Sequence, residues 1–187
     1  MDNDIKTYKL KLNGVYLLEV PIHIDKRGSF SEVFNNEINK SLDIKIDWIQ
    51  DNESISNKNV FRGLHFQKSK FVQSKLIRVS NGKILDIMLD LRKNSSTYKK
   101  YISIKIDQRN NILFIPKGIA HGFLSLEKST IVAYKCYGKY QPKHEHTICC
   151  DDKAISVNWG IKQPIISKKD EEGISLETYK TSKNING

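Results

Sequence analysis

Hydrophobic and polar residues alternate over much of the chain with a period of two. Leu85, Ile87, Leu89 and Leu91 share one face of a predicted strand over residues 83–91, flanked by Lys83 and Asp86. Residues 101–106 repeat the pattern with Ile102, Ile104 and Ile106. Shorter runs predict strands at residues 14–24, 29–34, 60–67, 75–80, 112–115, 121–126, 130–136 and 155–159. Turn residues separate them at 25–28, 81–82, 110–111 and 116–118. Asn81-Gly82 marks a two-residue hairpin, because both residues accept positive φ. Helix is expected only at residues 37–42 and 170–179. Many short antiparallel strands with few helices predict an all-β fold, a sandwich or a jelly-roll barrel. One domain spans residues 1–179, and the polar residues 180–187 are expected to fray as a tail.

Charge changes this picture. The 187 residues carry 31 Lys+Arg against 21 Asp+Glu, a net +10. Between Lys58 and Lys105 stand twelve basic residues and two acids, Asp86 and Asp90, so this stretch holds the whole excess. A local basic excess points to an anionic partner: nucleic acid, an acidic membrane or a phosphorylated small molecule. Lys68, Lys70, Lys93, Lys99 and Lys100 read as solvated surface. No apolar stretch nears the roughly 18 residues needed to cross a bilayer. The start lacks the apolar core of a secretory signal, so a cytoplasmic protein is expected, without a membrane partner. Cys136, Cys149 and Cys150 fit neither a disulfide framework nor zinc spacing and read as small strand residues.

Histidines are the candidates for chemistry. His121 ends a Pro116-x-Gly118-x-x-His121 turn that leads into a strand, a pattern similar to the second motif of the cupin jelly-roll barrels. Metal-binding cupins carry H-x-H in an earlier strand; here Arg62-Gly63-Leu64-His65-Phe66-Gln67 has one histidine, so no metal is expected. His144 and His146 do form H-x-H, in a charged, loop-like stretch that reads as a surface pair. His65, in a strand with Arg62 nearby, suits a general base inside a barrel, or a hydrogen-bonded structural histidine.

Nine segments in order resemble the deoxysugar-nucleotide 3,5-epimerases, the dTDP-4-dehydrorhamnose 3,5-epimerase family of the cupin superfamily. They are Asp25-Lys26-Arg27-Gly28 with Phe30 and Glu32; Gln50-Asp51-Asn52; Arg62 to Gln67; Gln73-Ser74-Lys75-Leu76; Asp90-Leu91-Arg92; Ile115-Pro116 through His121 to Leu124; Tyr134-Lys135-Cys136; Tyr140 with Pro142 and Glu145; and Ser167-Lys168-Lys169-Asp170.

The resemblance implies a cupin-type jelly-roll barrel and a cofactor-free epimerase of a nucleotide-linked 4-keto sugar, most closely dTDP-4-dehydro-6-deoxyglucose. It implies His65 as the base, Asp170 as the carboxylate supporting it, Tyr134 as the donor on the opposite face, and Lys75 beside the developing oxyanion. Asp151 and Asp152 are alternative partners for His65. Gln50, with Asp51 and Asn52 of the same triplet, matches base and sugar contacts. Tyr140 matches the aromatic that stacks on thymine; Arg62, His121, Lys75 and Glu145 match sugar or pyrophosphate contacts, and Lys169 a basic position beside Asp170. Arg27 and Glu32 match a strand that reaches the nucleotide of the partner subunit in a homodimer.

Residues 68–72 depart from the family, lacking its proline-rich turn and being more basic, which leaves room for another nucleotide or sugar. Related enzymes invert one carbon only, or act on heptose nucleotides such as a GDP-4-keto-heptose. A non-catalytic sugar-nucleotide-binding cupin is a second reading. A nucleic-acid binder is a third, disfavoured because the basic stretch has few interleaved aromatics and no helix-turn-helix or zinc pattern.

Overall fold

A computed structural model describes residues 4–109, 111–155, 157 and 159–181. The strands are β1 (Lys6–Lys9), β2 (Tyr16–Glu19), β3 (His23–Asp25), β4 (Gly28–Phe30), β5 (Gln50–Ser56), β6 (Phe61–Gln67), β7 (Ser74–Asn81), β8 (Lys83–Asp90), β9 (Tyr101–Asp107), β10 (Asn111–Ile115), β11 (Ile119–Ser125), β12 (Thr130–Tyr137) and β13 (Glu145–Thr147). The helices are short: α1 (Asn36–Ser41), α2 (Lys168–Glu171) and α3 (Leu176–Thr181).

Two antiparallel sheets form a jelly-roll barrel. The six-stranded sheet runs β1-β2-β10-β7-β12-β5 and the five-stranded sheet β13-β6-β11-β8-β9. Strands β3 and β4 make a separate ribbon. The β7–β8 hairpin turns at Asn81-Gly82, where Gly82 takes a φ of 80°.

Three apolar clusters hold the layers. Between the sheets, Ile77, Val79, Leu113, Ile115 and Val132 meet Ile84, Met88, Ile106, Ile119 and Phe123. Ile102 and Ile104 pack against this cluster, as their alternation predicts. Outside the five-stranded sheet, Leu64, Ile87, Leu89 and Leu124 are covered by Ile148, Ile155, Leu176 and Tyr179. Outside the six-stranded sheet, Leu18, Leu76, Ile112 and Phe114 are covered by Ile38 and Leu42 of the α1 region. Strand β8 is therefore buried on both faces, not only on its Leu85–Leu91 face.

Several expectations fail for physical reasons. The long strand at 14–24 splits into β2 and β3 around Pro21, which has no N–H for a ladder. The described residues at 155–159 form no strand; they pack as a covering loop, with Ile155 buried. The 170–179 helix is two short helices, and the chain continues in α3 to Thr181; residues 182–187 of the expected tail lie outside the described residues. His146 is not in a loop: it sits in β13, paired with β6, its ring 5.6 Å from that of Phe66. Lys68 is buried at 8% exposure, unlike the exposed Lys70, Lys93, Lys99 and Lys100. Its Nζ finds no hydrogen-bond partner among the described residues and lies over the rings of Phe66 and Tyr179.

Candidate active site

In one part of the barrel interior, polar side chains take the place of the aliphatic core. Strand parity turns alternate residues inward, and the register slip at Gly63 in β6 lets Arg62 and His65, three residues apart, both face the cavity. The five-stranded sheet contributes Arg62 and His65 from β6 and His121 from β11. The six-stranded sheet contributes Gln50 and Asn52 from β5, Lys75 from β7, and Tyr134 and Cys136 from β12. Together with Tyr140, Glu145, Lys169 and Asp170 they line a cavity of about 600 Å³.

His65 Nε2 lies 2.6 Å from Asp170 Oδ1, although the residues are 105 positions apart. The Ser167-Lys168-Lys169-Asp170 segment is the reason Asp170 is fixed. Ser167 is the N-cap of α2, and its side chain accepts the Asp170 N–H at 3.2 Å. The Gly63 N–H donates to the other carboxylate oxygen at 3.4 Å. Burial pushes the Asp170 pKa up, but hydrogen bonds from His65, Gly63 and Ser167 outweigh it and hold the carboxyl below its ordinary value. Asp170 thus stays ionised and can support a positive charge on His65. Asp152 is occupied elsewhere, accepting from the N–H groups of Ala154 and Leu176, and Asp151 is exposed.

Tyr134 stands on the opposing sheet. Burial raises its pKa, which keeps the hydroxyl protonated and able to donate. Lys75 lies one strand away on the same wall, paired in register with Cys136. Burial pulls the Lys75 ammonium below its ordinary range, partly offset by Cys136, Glu145 and Asp86. His121 faces His65 directly across the β6–β11 ladder. Its Nε2 sits 2.8 Å from Oδ2 of the fully buried Asp86.

A polar rim surrounds these groups. The Tyr140 hydroxyl donates to Glu145 Oε2 at 2.8 Å, and Lys169 Nζ donates to the same oxygen. Arg62 Nε donates to Ser56 Oγ at 3.1 Å. Gln50 Nε2 donates to Asn52 Oδ1 at 2.8 Å.

Three expected contact residues lie outside this cavity, two of them, Arg27 and Glu32, on the segment expected to serve the partner subunit. Asp51 is on the outer face of β5, one residue out of phase with Gln50 and Asn52, and pairs with Lys135 at 2.6 Å. It does not line the cavity, because successive residues of a strand face opposite ways. Arg27 lies in the β3–β4 turn, 84% exposed and bonded to Asp25. Glu32 accepts from Asn35 Nδ2 at 3.0 Å, outside the cavity of its own chain. Conversely, Gln73 and Cys136 line the cavity and Asp86 lies behind His121, roles that the sequence does not assign them. Asp86 shares its strand face with Ile84 and Met88, which pack between the sheets, but the opposite face of β8 is equally apolar and so hides the signal.

Comparison with known proteins places the chain in a family. The family model described as dTDP-4-dehydrorhamnose 3,5-epimerase matches residues 9–178. The dTDP-4-dehydrorhamnose 3,5-epimerase of Methanothermobacter thermautotrophicus is 41% identical over 171 residues, 89% of this chain and 92% of that protein. A crystal structure of the Bacillus anthracis enzyme with TDP and PPi bound superposes with a TM-score of 0.89 at 36% identity, covering 92% of this chain and all of that one. The Legionella pneumophila dTDP-6-deoxy-D-glucose-3,5-epimerase in complex with dTDP-4-keto-L-rhamnose gives a TM-score of 0.88 at 33% identity, covering 93% and 94% of the two chains. Matched over nearly its whole length in sequence and in barrel, the chain belongs to the dTDP-4-dehydrorhamnose 3,5-epimerase family and is an isomerase-class enzyme, an epimerase.

Proposed function

We propose that the protein inverts C3 and C5 of dTDP-4-dehydro-6-deoxyglucose, with His65 as base, Tyr134 as proton donor and Lys75 at the developing oxyanion. The observation that carries this reading is the placement of His65 and Tyr134 on opposing sheets of one cavity. Inversion takes a proton from one face of a carbon and returns one to the other, so base and acid must stand on opposite sides.

His65 removes the proton next to the C4 ketone. The electron pair moves onto the ketone oxygen as an enolate, and the Asp170 carboxylate supports the imidazolium. Tyr134 then protonates carbon from the opposite face. The ketone is itself the electron sink, so these steps call for no cofactor. Arg62, Gln50, Asn52, Tyr140, Glu145, His121 and Lys169 fit the nucleotide and sugar. Arginine forks suit the pyrophosphate.

The same reading includes a homodimer. Ile24 and Phe30 on the β3–β4 ribbon are 77% and 65% exposed. Strand β5 is an unpaired edge of the six-stranded sheet, beside the cavity. A ribbon added to the partner's sheet would cover both liabilities and carry Arg27 and Glu32 toward the partner's nucleotide.

The test is NMR in heavy water with a panel of dTDP-, GDP- and CDP-linked 4-keto sugars. Deuterium entering C3 and C5 of the dTDP sugar is the expected result. Uptake at one carbon only, or only into another nucleotide's sugar, replaces the proposal with a narrower epimerase. Tight binding with no uptake in any sugar replaces it with a non-catalytic binder.

A further inference from the structure

In the buried pair Asp86–His121, His121 serves above only as a substrate contact and Asp86 has no role. Asp86 has no exposed surface, and only one of its oxygens is bonded. Oδ1 has no hydrogen-bond partner among the described residues. An ionised carboxylate in that setting would leave half of its charge desolvated and unpaired, an expensive arrangement. A protonated carboxyl would leave only a carbonyl oxygen unpaired, which costs far less. Stability does not explain the pair either, because an apolar replacement of similar volume is often neutral or stabilising. An unsatisfied buried group beside a reaction cavity therefore calls for a functional account.

The ring chemistry supplies one. A neutral imidazole carries one N–H, and its position is set by what the other nitrogen bonds. If Asp86 is ionised, Nε2 must carry the proton and Nδ1 is a bare acceptor. If Asp86 is protonated, it donates to Nε2, and the ring proton sits on Nδ1. The titratable groups facing the pair are Lys75 from β7 and His65 from β6, while Cys136 from β12 and Glu145 from β13 act on it through Lys75. Burial outweighs them: it pushes the Asp86 carboxyl up and the His121 imidazole down, both toward uncharged forms.

We propose that Asp86 is a positioning residue held as a carboxylic acid, donating its proton to His121 Nε2 so that His121 Nδ1–H remains a hydrogen-bond donor in the cavity. With Lys75 on the opposite sheet, that donor makes a second contact for the enolate oxygen. A neutral buried acid in an oxyanion site is a known device of proton-abstracting enzymes. This inference rests on the enolate chemistry proposed above, but its first test needs no substrate.

That test is the ¹⁵N spectrum of histidine-labelled protein near neutral pH, with His121→Gln identifying the resonances. The expected result is a protonated Nδ1 and a bare Nε2. A bare Nδ1 with protonated Nε2, or an imidazolium with both protonated, overturns the proposal. The second test is solvent-deuterium exchange into the sugar nucleotide. Asparagine imitates the neutral acid, so Asp86→Asn should lose roughly tenfold, and Asp86→Leu roughly 10³-fold, the scale of removing one oxyanion donor. Where an ionised carboxylate sets the tautomer, as in a serine-protease triad, the asparagine change itself costs about 10⁴-fold. Asp86→Asn as damaging as Asp86→Leu would overturn the proposal. Absence of exchange by the wild type, with the expected ¹⁵N pattern intact, would refute the reaction and not the protonation state of Asp86.

Discussion

Gly63 of β6 and Gly122 of β11 meet backbone to backbone. A Cβ on Gly63 would lie 2.5 Å from the Gly122 Cα, and a Cβ on Gly122 would lie 2.6 Å from the Arg62 carbonyl oxygen. The β6–β11 register slips by one residue at this point, between the His121–His65 and Phe123–Arg62 pairs. Gly63 also holds a φ of 133°, which side chains rarely adopt. Alanine at either position has to push the two strands apart just where they carry His65 and His121. Gly122→Ala and Gly63→Ala are each expected to destabilise by about 2–4 kcal/mol, within the range of overpacking and backbone strain. Denaturant melts check this; a loss under about 0.5 kcal/mol, the scale of ordinary surface changes, would show that the strands yield freely.

Base and donor should separate in a labelling experiment. His65→Ala is expected to abolish uptake of solvent deuterium, because no proton leaves carbon. Tyr134→Phe should keep part of the uptake while blocking inversion, because His65 can return a proton only to the face it came from. Asp170→Asn should slow uptake by roughly 10²-fold or more, the scale of weakening a general base. Full activity in His65→Ala would remove the base assignment.

Acid stability should carry the signature of Asp90. Burial raises this carboxyl, but hydrogen bonds from Arg92, Ser95 and Thr97 override it and lower it to about 2. Its pKa is lower folded than unfolded, so its contribution is complete above the ordinary aspartate value of 3.8 and fades as pH falls through about 2. The gap corresponds to about 2 kcal/mol. Urea melts across this range should show a steep acid limb that is flattened in Asp90→Asn. An unchanged limb in that variant would mean that other carboxylates govern it.

Lys68 gives the opposite sign at the alkaline end. Burial lowers its ammonium to about 8. Above that pH the folded chain has released a proton that the unfolded chain keeps until about 10.4, so stability rises with pH in that window. Lys68→Met should remove the rise. At neutral pH it should also stabilise the fold by about 1–2 kcal/mol, since a buried cation without a counter-ion among the described residues gives way to an apolar chain of similar length. Thermal melts of the two proteins at neutral and alkaline pH measure both effects.

These residues also mark how far the sequence could be read. The hairpin at Asn81-Gly82 and the inward face of β9, with Ile102, Ile104 and Ile106, follow from local chemistry, so they were legible. Strand β5 was not: its cavity-facing residues Gln50, Asn52 and Ser54 are polar, so the usual alternation is missing where function needs it gone. Lysines are usually solvated, so the burial of Lys68 against the rings of Phe66 and Tyr179 was not legible. The His65–Asp170 pairing was open to Asp151 and Asp152 because composition says nothing about which distant loop returns to a strand. Family order pointed to Asp170, and the Ser167 cap gives the local reason that it can be held.

The 105-residue separation between His65 and Asp170 also orders events in time. At a synthesis rate of 5–20 residues per second, Asp170 leaves the ribosome on the order of 5–20 s after His65. By then strands β7 to β13 have already been made. His65 is therefore made seconds before the carboxylate that supports it. Recovery of catalysis during refolding would then time the docking of the last segment, which brings Asp170 to His65 and lays Leu176 and Tyr179 over the five-stranded sheet.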